Sequence, residues 1–328
     1  MAAVTPALPT AESVLAAAAR IAPYRRLTPL LTSPALDALT GAQVFLKAEV
    51  LQHTRSFKYR GALSKLLTLG AEARQRGVVA WSSGNHGQAV AAAGARLAIP
   101  VTVVMPKDAP AIKRRHTEAH GARVILFDRQ KDDREAIAFA LAEREGLTVV
   151  PSFDDAEVIA GQGTAGLEMR SQLKALGLEA DRLLVCTGGG GFMAGCALAF
   201  EGTTTRLHTV EPEGYDDHAR SFESGTRQRI AGTPPSDCDA LLTPTPGALT
   251  FAINQPRVTS GLVVSAGAVH DAMRFAFEHL AVVLEPGGAV CLAALLTKAL
   301  PLTGEVVLAT LSGGNVDPRP FAEVLRSA

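Results

Sequence analysis

The sequence carries no excess of charge of either sign. Lys plus Arg and Asp plus Glu number 32 each, so no net field draws the chain to a nucleic-acid backbone or an acidic membrane. Cysteine is sparse, and Cys186, Cys196, Cys238 and Cys291 form neither a CxxC pair nor a zinc spacing. Cys186, Cys196 and Cys291 sit in apolar surroundings and read as small buried hydrophobes, which suits a reducing cytoplasm. No stretch has the length and apolarity of a membrane span: the run Ala89–Ala93 is short, and Arg96 follows it. The N-terminal MAAVTPALPTAESVLAAAAR has no charged segment ahead of an apolar run, which argues against a secretory signal. Aromatics make up only 5% of the chain, whereas apolar residues reach 47% and Ala, Gly, Val and Leu abound. That balance suits a large core of helices packed closely on a sheet. The basic stretch Lys113-Arg114-Arg115 reads as a solvated helix face.

Apolar, β-branched runs recur at intervals and predict strands at Val44–Leu46, Val78–Trp81, Val101–Met105, Val124–Phe127, Thr148–Val150, Leu183–Cys186, Leu207–Val210 and Val306–Thr310. Helical periodicity falls between them, at Ala62–Leu69, Gln88–Leu97, Asp133–Glu143 and Gly163–Leu173. Alternation of nearly all-apolar strands with helices predicts an α/β fold with mostly parallel sheets covered by helices. The compact run 77–151 is expected to form a small domain set into a large one made of 1–76 and 152–328, and Thr233–Pro246 reads as a surface loop. No internal repeat stands out.

The most informative segment runs from the apolar strand Leu183–Cys186 through Thr187 into Gly188, Gly189, Gly190 and Gly191, then into a helix of small residues. Consecutive glycines let backbone amides close on an anion, and the helix N-terminus adds its positive end. The loop reads as a phosphate cradle. It lacks the GK[ST] of a Walker loop, and it fits the dinucleotide fingerprint poorly, although Glu211 lies near the distance at which that fingerprint places an acid. Lys58, in Ser56-Phe57-Lys58-Tyr59-Arg60-Gly61-Ala62, lies between Phe57 and Tyr59, which can desolvate its ammonium. A neutral amine is what Schiff-base chemistry requires, and together with a phosphate cradle it suggests pyridoxal phosphate.

Ser56–Ala62 resembles the lysine motif of fold-type II pyridoxal-phosphate enzymes, specifically the threonine/serine dehydratase and serine racemase group. Further matches follow in the same order: Ser82–Ala89, Gly161–Thr164, Gly188–Gly191, Val210–Pro212, Glu285–Ala289 and Leu311–Asp317. The resemblance covers nearly the whole chain and implies a two-lobed, tryptophan synthase β-like fold. It implies that Lys58 carries the cofactor and moves the Cα proton, that Phe57 and Gly188–Gly191 hold the cofactor, and that Asn85 hydrogen-bonds its phenolic oxygen. Ser82, Ser83, Asn85 and His86 would receive the substrate carboxylate, and Ser312 would face the pyridine nitrogen, where a hydroxyl favours β-elimination over transamination. Ser83 matches the serine that stands opposite the lysine in the racemases. Glu211, the carbonyl of Tyr215 and Asp217 would hold Mg²⁺ or Ca²⁺, although an acidic loop also reads as plain solvated surface.

The implied activity is a β-hydroxy amino acid ammonia-lyase that takes threonine or serine to a 2-oxo acid and ammonia, in a cytoplasmic homodimer. Alternatives are 3-hydroxyaspartate or phenylserine as substrate, and a serine- or aspartate-type racemase. Arg55 would suit an acidic substrate and Trp81 an aromatic one, yet each also reads as an ordinary solvated or core residue. His86 argues against a β-replacement synthase, whose motif is TSGNTG-like, and a non-catalytic phosphate-binding protein is a further rival. The chain ends at Ala328 soon after the Ser312 motif, so no regulatory domain is expected and a catabolic role follows.

Overall fold

A computed structural model describes residues 8–82 and 84–326. Its strands are β1 (Leu30–Leu31), β2 (Gln43–Ala48), β3 (Val78–Trp81), β4 (Val101–Pro106), β5 (Arg123–Phe127), β6 (Thr148–Val149), β7 (Arg182–Cys186), β8 (Arg206–Pro212), β9 (Val258–Val264) and β10 (Val306–Leu311). They form a six-stranded sheet in the order β1-β2-β10-β7-β8-β9 and a four-stranded sheet in the order β5-β4-β3-β6. All pairings are parallel except the short edge pair β1–β2. Helices on both faces bury the strands, which explains why their sequences are nearly all apolar rather than alternating. The four-stranded sheet is built from residues 78–149, and the strands of the six-stranded sheet precede and follow it.

β1 and β9 lie outside the strands expected from sequence. β1 is two residues long. β9 is an edge strand whose apolar run is broken by Ser260 and Gly261, and Gly261 is required there: a Cβ would lie 2.6 Å from the Ala219 backbone.

The parallel arrangement gathers the informative segments at the carboxyl ends of strands, where ligands of open α/β sheets bind. The glycine loop follows β7, Ser312 follows β10, Glu211 lies at the end of β8, and Ser82 follows β3. Lys58 opens the helix Lys58–Leu67, and the fully buried Arg60 ties that helix to the protein body. Its guanidinium contacts Glu49 and Glu168 at 2.7 Å each, and Lys47 reaches Glu168 at 2.8 Å. Buried charges satisfied on this scale hold an element in one register, because slipping it would strand an unpaired ion. No helix among the described residues is long and apolar enough to cross a membrane.

One surface expectation fails. Arg114 and Arg115 are exposed, but Lys113 is buried, with its ammonium 2.7 Å from Asp239 and 2.8 Å from Glu285. Burial alone would lower its pKa, yet the two carboxylates hold it above the ordinary lysine value.

Candidate active site

The turn before Lys58 is strained and laced to the segment after β10. Thr54 and Arg55 both have positive φ, at 60° and 55°. Their carbonyls accept hydrogen bonds from Asn315 Nδ2 at 2.8 Å and Gly314 N at 3.0 Å, while Phe57 N donates to Ser312 O at 3.2 Å. Lys58 and Ser312 are thereby brought to one cavity. Lys58 Nζ donates to the Ser152 carbonyl at 2.8 Å and lies 5.1 Å from the Phe57 ring centre. Phe57 in turn stacks on Phe192, with centroids 4.1 Å apart. Burial among these groups pushes the amine down to about 8. Of the two aromatics expected to desolvate the amine, Phe57 lies against it, whereas Tyr59 packs on His53 with centroids 5.0 Å apart.

Lys58, Asn85, Gly188–Gly191 and Ser312 line this cavity. Ser312 is buried, its hydroxyl 3.4 Å from the Gly287 carbonyl. Asn85 Nδ2 donates to Glu285 and Asn85 Oδ1 accepts from Asn315 Nδ2 at 2.9 Å, which leaves one amide hydrogen unspent. Glu285 and Asn315 lie in matched motifs, but nothing local in the sequence gave either of them a role. A cleft beside the cavity is lined by Lys58, Ser82, Asn85 and His86 together with Arg129 and Arg134. Asn85 and His86 open the helix Asn85–Leu97, whose first amides have no intrahelical acceptor. His86 Nε2 lies 2.9 Å from the Val150 carbonyl, and burial together with the charge of Lys58 holds its pKa down to about 3. The ring is neutral and protonated on Nε2, so a carboxylate there would meet backbone amides rather than an imidazolium. Ser83 lies outside the described residues.

The remaining expected residues fall at a second place. Glu211 and Asp217 are fully buried beside the glycine loop. The Glu211 oxygens accept from His218 N and Ala219 N, both at 2.8 Å. Both oxygens of Asp217 are buried without a hydrogen-bond partner. Burial raises the Glu211 pKa well above the carboxylate range and pushes Asp217 up to about 7. Tyr215 ends the turn between them, its amide on the Pro212 carbonyl at 3.1 Å. Among the described residues no three His, Cys, Asp or Glu side chains converge in a metal-holding group, so any cation here would rest on two carboxylates and backbone oxygen.

Trp81 and Arg55 part company. Trp81 touches the cleft but packs against Phe139, with centroids 5.6 Å apart, within a small apolar cluster. Arg55 is exposed and is not among the residues that line the cleft.

Residues 21–313 match the family described as pyridoxal-phosphate dependent enzymes. The chain belongs to that family. A Pseudomonas sp L-threo-3-hydroxyaspartate ammonia-lyase is 42% identical over 96% of this chain and 98% of its own. A Schizosaccharomyces pombe serine racemase is 39% identical over 97% of this chain and 98% of its own. The crystal structure of a T.th. threonine deaminase superimposes with a TM-score of 0.88 at 44% identity, covering 94% of this chain and 99% of the other. The neighbours are fold-type II members, in agreement with the two parallel sheets and their covering helices.

The cavity fits the family's cofactor on its own evidence. It joins a desolvated primary amine to a glycine loop in which the amides of Gly189 and Gly190 donate to no protein acceptor among the described residues. Because Lys58 loses its proton near 8 rather than 10.5, capture of pyridoxal phosphate by the apo-protein accelerates as pH rises through about 8. Below that pH Nζ is an ammonium and cannot attack an aldehyde. Stopped-flow absorbance across pH reads this directly, and an inflection near 10.5 would put the amine in solvent.

Proposed function

We propose that the protein is an ammonia-lyase for β-hydroxy amino acids that prefers an acidic side chain, with 3-hydroxyaspartate as the substrate and serine and threonine as slower ones. The reading rests on Arg134. Its guanidinium lines the cleft beside Lys58, is partly desolvated, and has no hydrogen-bond or ion-pair partner among the described residues. A desolvated, unpaired cation is unfavourable unless a ligand anion completes it. Arg129, also in the cleft, already pairs with Asp108 at 2.8 Å and serves as the outer of the two cations.

In this reading the bound cofactor supplies an aldehyde for amines and a ring that takes up electrons from the substrate Cα. The glycine loop holds the phosphate through backbone amides. Lys58 would hold the cofactor through Nζ, and the same amine, when free, would take the Cα proton. The free amides at the start of the helix Asn85–Leu97 bind the α-carboxylate, and Arg134 binds the β-carboxylate. Between them they fix the Cα–H bond toward Lys58. Ser312, which lines the same cavity, would offer the cofactor ring a hydroxyl, which cannot stabilise a positive charge as a carboxylate would, and so would favour loss of the β-hydroxyl over side reactions. The enamine that leaves hydrolyses to a 2-oxo acid and ammonia. A panel of 3-hydroxyaspartate, serine, threonine and phenylserine scored by 2-oxo acid release tests the assignment. The highest kcat/KM on phenylserine or threonine would overturn the acidic preference.

Glu211, the Tyr215 carbonyl and Asp217 complete the reading as a structural divalent-cation site. The unpartnered oxygens of Asp217 are its support, and hard oxygen donors suit Mg²⁺ or Ca²⁺. Millimolar Mg²⁺ or Ca²⁺ is expected to raise Tm by mass action. Asp217→Asn removes that increase while leaving the cation-free Tm no lower, since an amide is easier to bury than an unpaired carboxylate. Equal increases in both proteins, measured by differential scanning fluorimetry, would place the cation elsewhere.

A further inference from the structure

The glycine loop has a back as well as a front, and the back is gripped by side chains that do not line the cofactor cavity. Thr250 Oγ1 donates to the Gly189 carbonyl at 2.7 Å. Asn254 Nδ2 donates to the Gly190 carbonyl at 3.2 Å. His218 lies behind the same loop: a Cβ on Gly190 would be 2.6 Å from its Cε1 and 2.9 Å from its Nε2. All three side chains are fully buried. Neither nitrogen of His218 closes a well-formed hydrogen bond, so a fully buried polar ring waits there without a settled partner. Its position is set by its own backbone, since His218 N donates to Glu211 at 2.8 Å.

Peptide planarity turns this grip into a statement about the front. In a trans peptide the carbonyl of one residue and the N–H of the next point in opposite directions. No cis peptide occurs among the described residues. A donor that holds the carbonyl of Gly189 backward therefore turns the amide of Gly190 forward. The same holds for Gly190 with Gly191. We infer that Thr250 and Asn254 are positioning residues that, with the amides of Gly247 and Ala194 on the same two oxygens, fix two consecutive carbonyls behind the loop and so aim the amides of Gly190 and Gly191 at the cofactor phosphate. Glycine gives the loop its freedom, and these side chains remove that freedom in the one useful direction. The preorganised amides bind phosphate without an ordering penalty at the moment of binding.

The inference rests on the reading that this loop holds the cofactor phosphate, and the experiment separates the two. Pyridoxal phosphate is titrated into full-length apo-protein, and the ³¹P resonance of the bound phosphate is recorded for wild type, Thr250→Val, Thr250→Ser and Asn254→Leu. Thr250→Val is expected to weaken cofactor binding by about tenfold and to move the ³¹P resonance, the scale of one lost buried hydrogen bond. Thr250→Ser keeps the hydroxyl and holds affinity within about threefold of wild type. Asn254→Leu falls by less than Thr250→Val, because the Ala194 amide still holds the Gly190 carbonyl. Affinity and resonance unchanged in Thr250→Val would overturn the inference alone. Wild-type protein that fails to bind pyridoxal phosphate would overturn the loop reading beneath it. Should Asn254→Leu fail to fold, Thr250→Val, a near-isosteric loss of one hydroxyl, decides by the same two readouts.

Discussion

Lys58→Ala is expected to lose at least about 10³-fold in 2-oxo acid release from any β-hydroxy amino acid, because under the proposed function it removes both the covalent anchor and the group that takes the Cα proton. No neighbour can stand in. His86 is neutral with a pKa near 3 and its Nε2 hydrogen engaged by Val150, so its basicity is low. The Ser152 oxygen that meets Nζ is a backbone carbonyl. The variant keeps its fold, since Lys58 takes no part in the buried ion cluster that Arg60 makes with Glu49 and Glu168. It still binds cofactor through the glycine loop, more weakly and reversibly, and dialysis removes it. Steady-state turnover, absorbance before and after dialysis, and circular dichroism measure the three parts. Turnover within about tenfold of wild type would remove Lys58 from the mechanism.

Arg134→Ala separates substrates. A charge-assisted hydrogen bond is worth about 1.5–3 kcal/mol, so kcat/KM for 3-hydroxyaspartate falls by about tenfold to a hundredfold. Serine, which has no β-carboxylate, changes by less than about threefold. Arg129→Ala falls less on the acidic substrate, because Arg129 is 40% exposed and already shares its charge with Asp108. The contrast between substrates makes the result specific: general damage to the cleft lowers both rates together, and an equal fall would show that the guanidinium serves structure and leave the acidic preference without support.

Much of this site was legible in the chain before any geometry. A tetraglycine run between an apolar strand and a small-residue helix has few uses other than an anion cradle, and Lys58 between aromatics announces a desolvated amine. Both depend on local sequence, and the structure brings both to one cavity. The strands of the interior were legible because burial on both faces makes them continuously apolar, whereas β9 was not, because an edge strand carries Ser260 and Gly261 in its run. The helix Ala156–Ala175 begins seven residues before the expected Gly163, capped by Asp155 on Glu157 N and Val158 N, a start that the glycines at 161 and 163 obscured.

The two cations proposed to select an acidic substrate were not legible. Arg129 and Arg134 belong to the charged stretch 128–135, which in isolation reads as solvated surface; only the packing of the four-stranded sheet brings it over Lys58. Arg55, adjacent to the lysine motif in sequence, stays outside the cleft, because proximity along a chain is not proximity in space. Lys113 looked like one of three surface cations until Asp239 and Glu285, distant in sequence, came to enclose it. The back of the glycine loop was equally hidden, since Thr250 and Asn254, four residues apart on the helix Ala248–Asn254, belong to no matched motif.

Every role proposed for the cavity depends on the covalent seat of the cofactor. Purified protein saturated with pyridoxal phosphate, reduced with borohydride, digested and mapped by mass spectrometry tests it most directly. A single phosphopyridoxyl adduct is expected, on the peptide that contains Ser56-Phe57-Lys58-Tyr59. An adduct on another lysine with position 58 unmodified would contradict it.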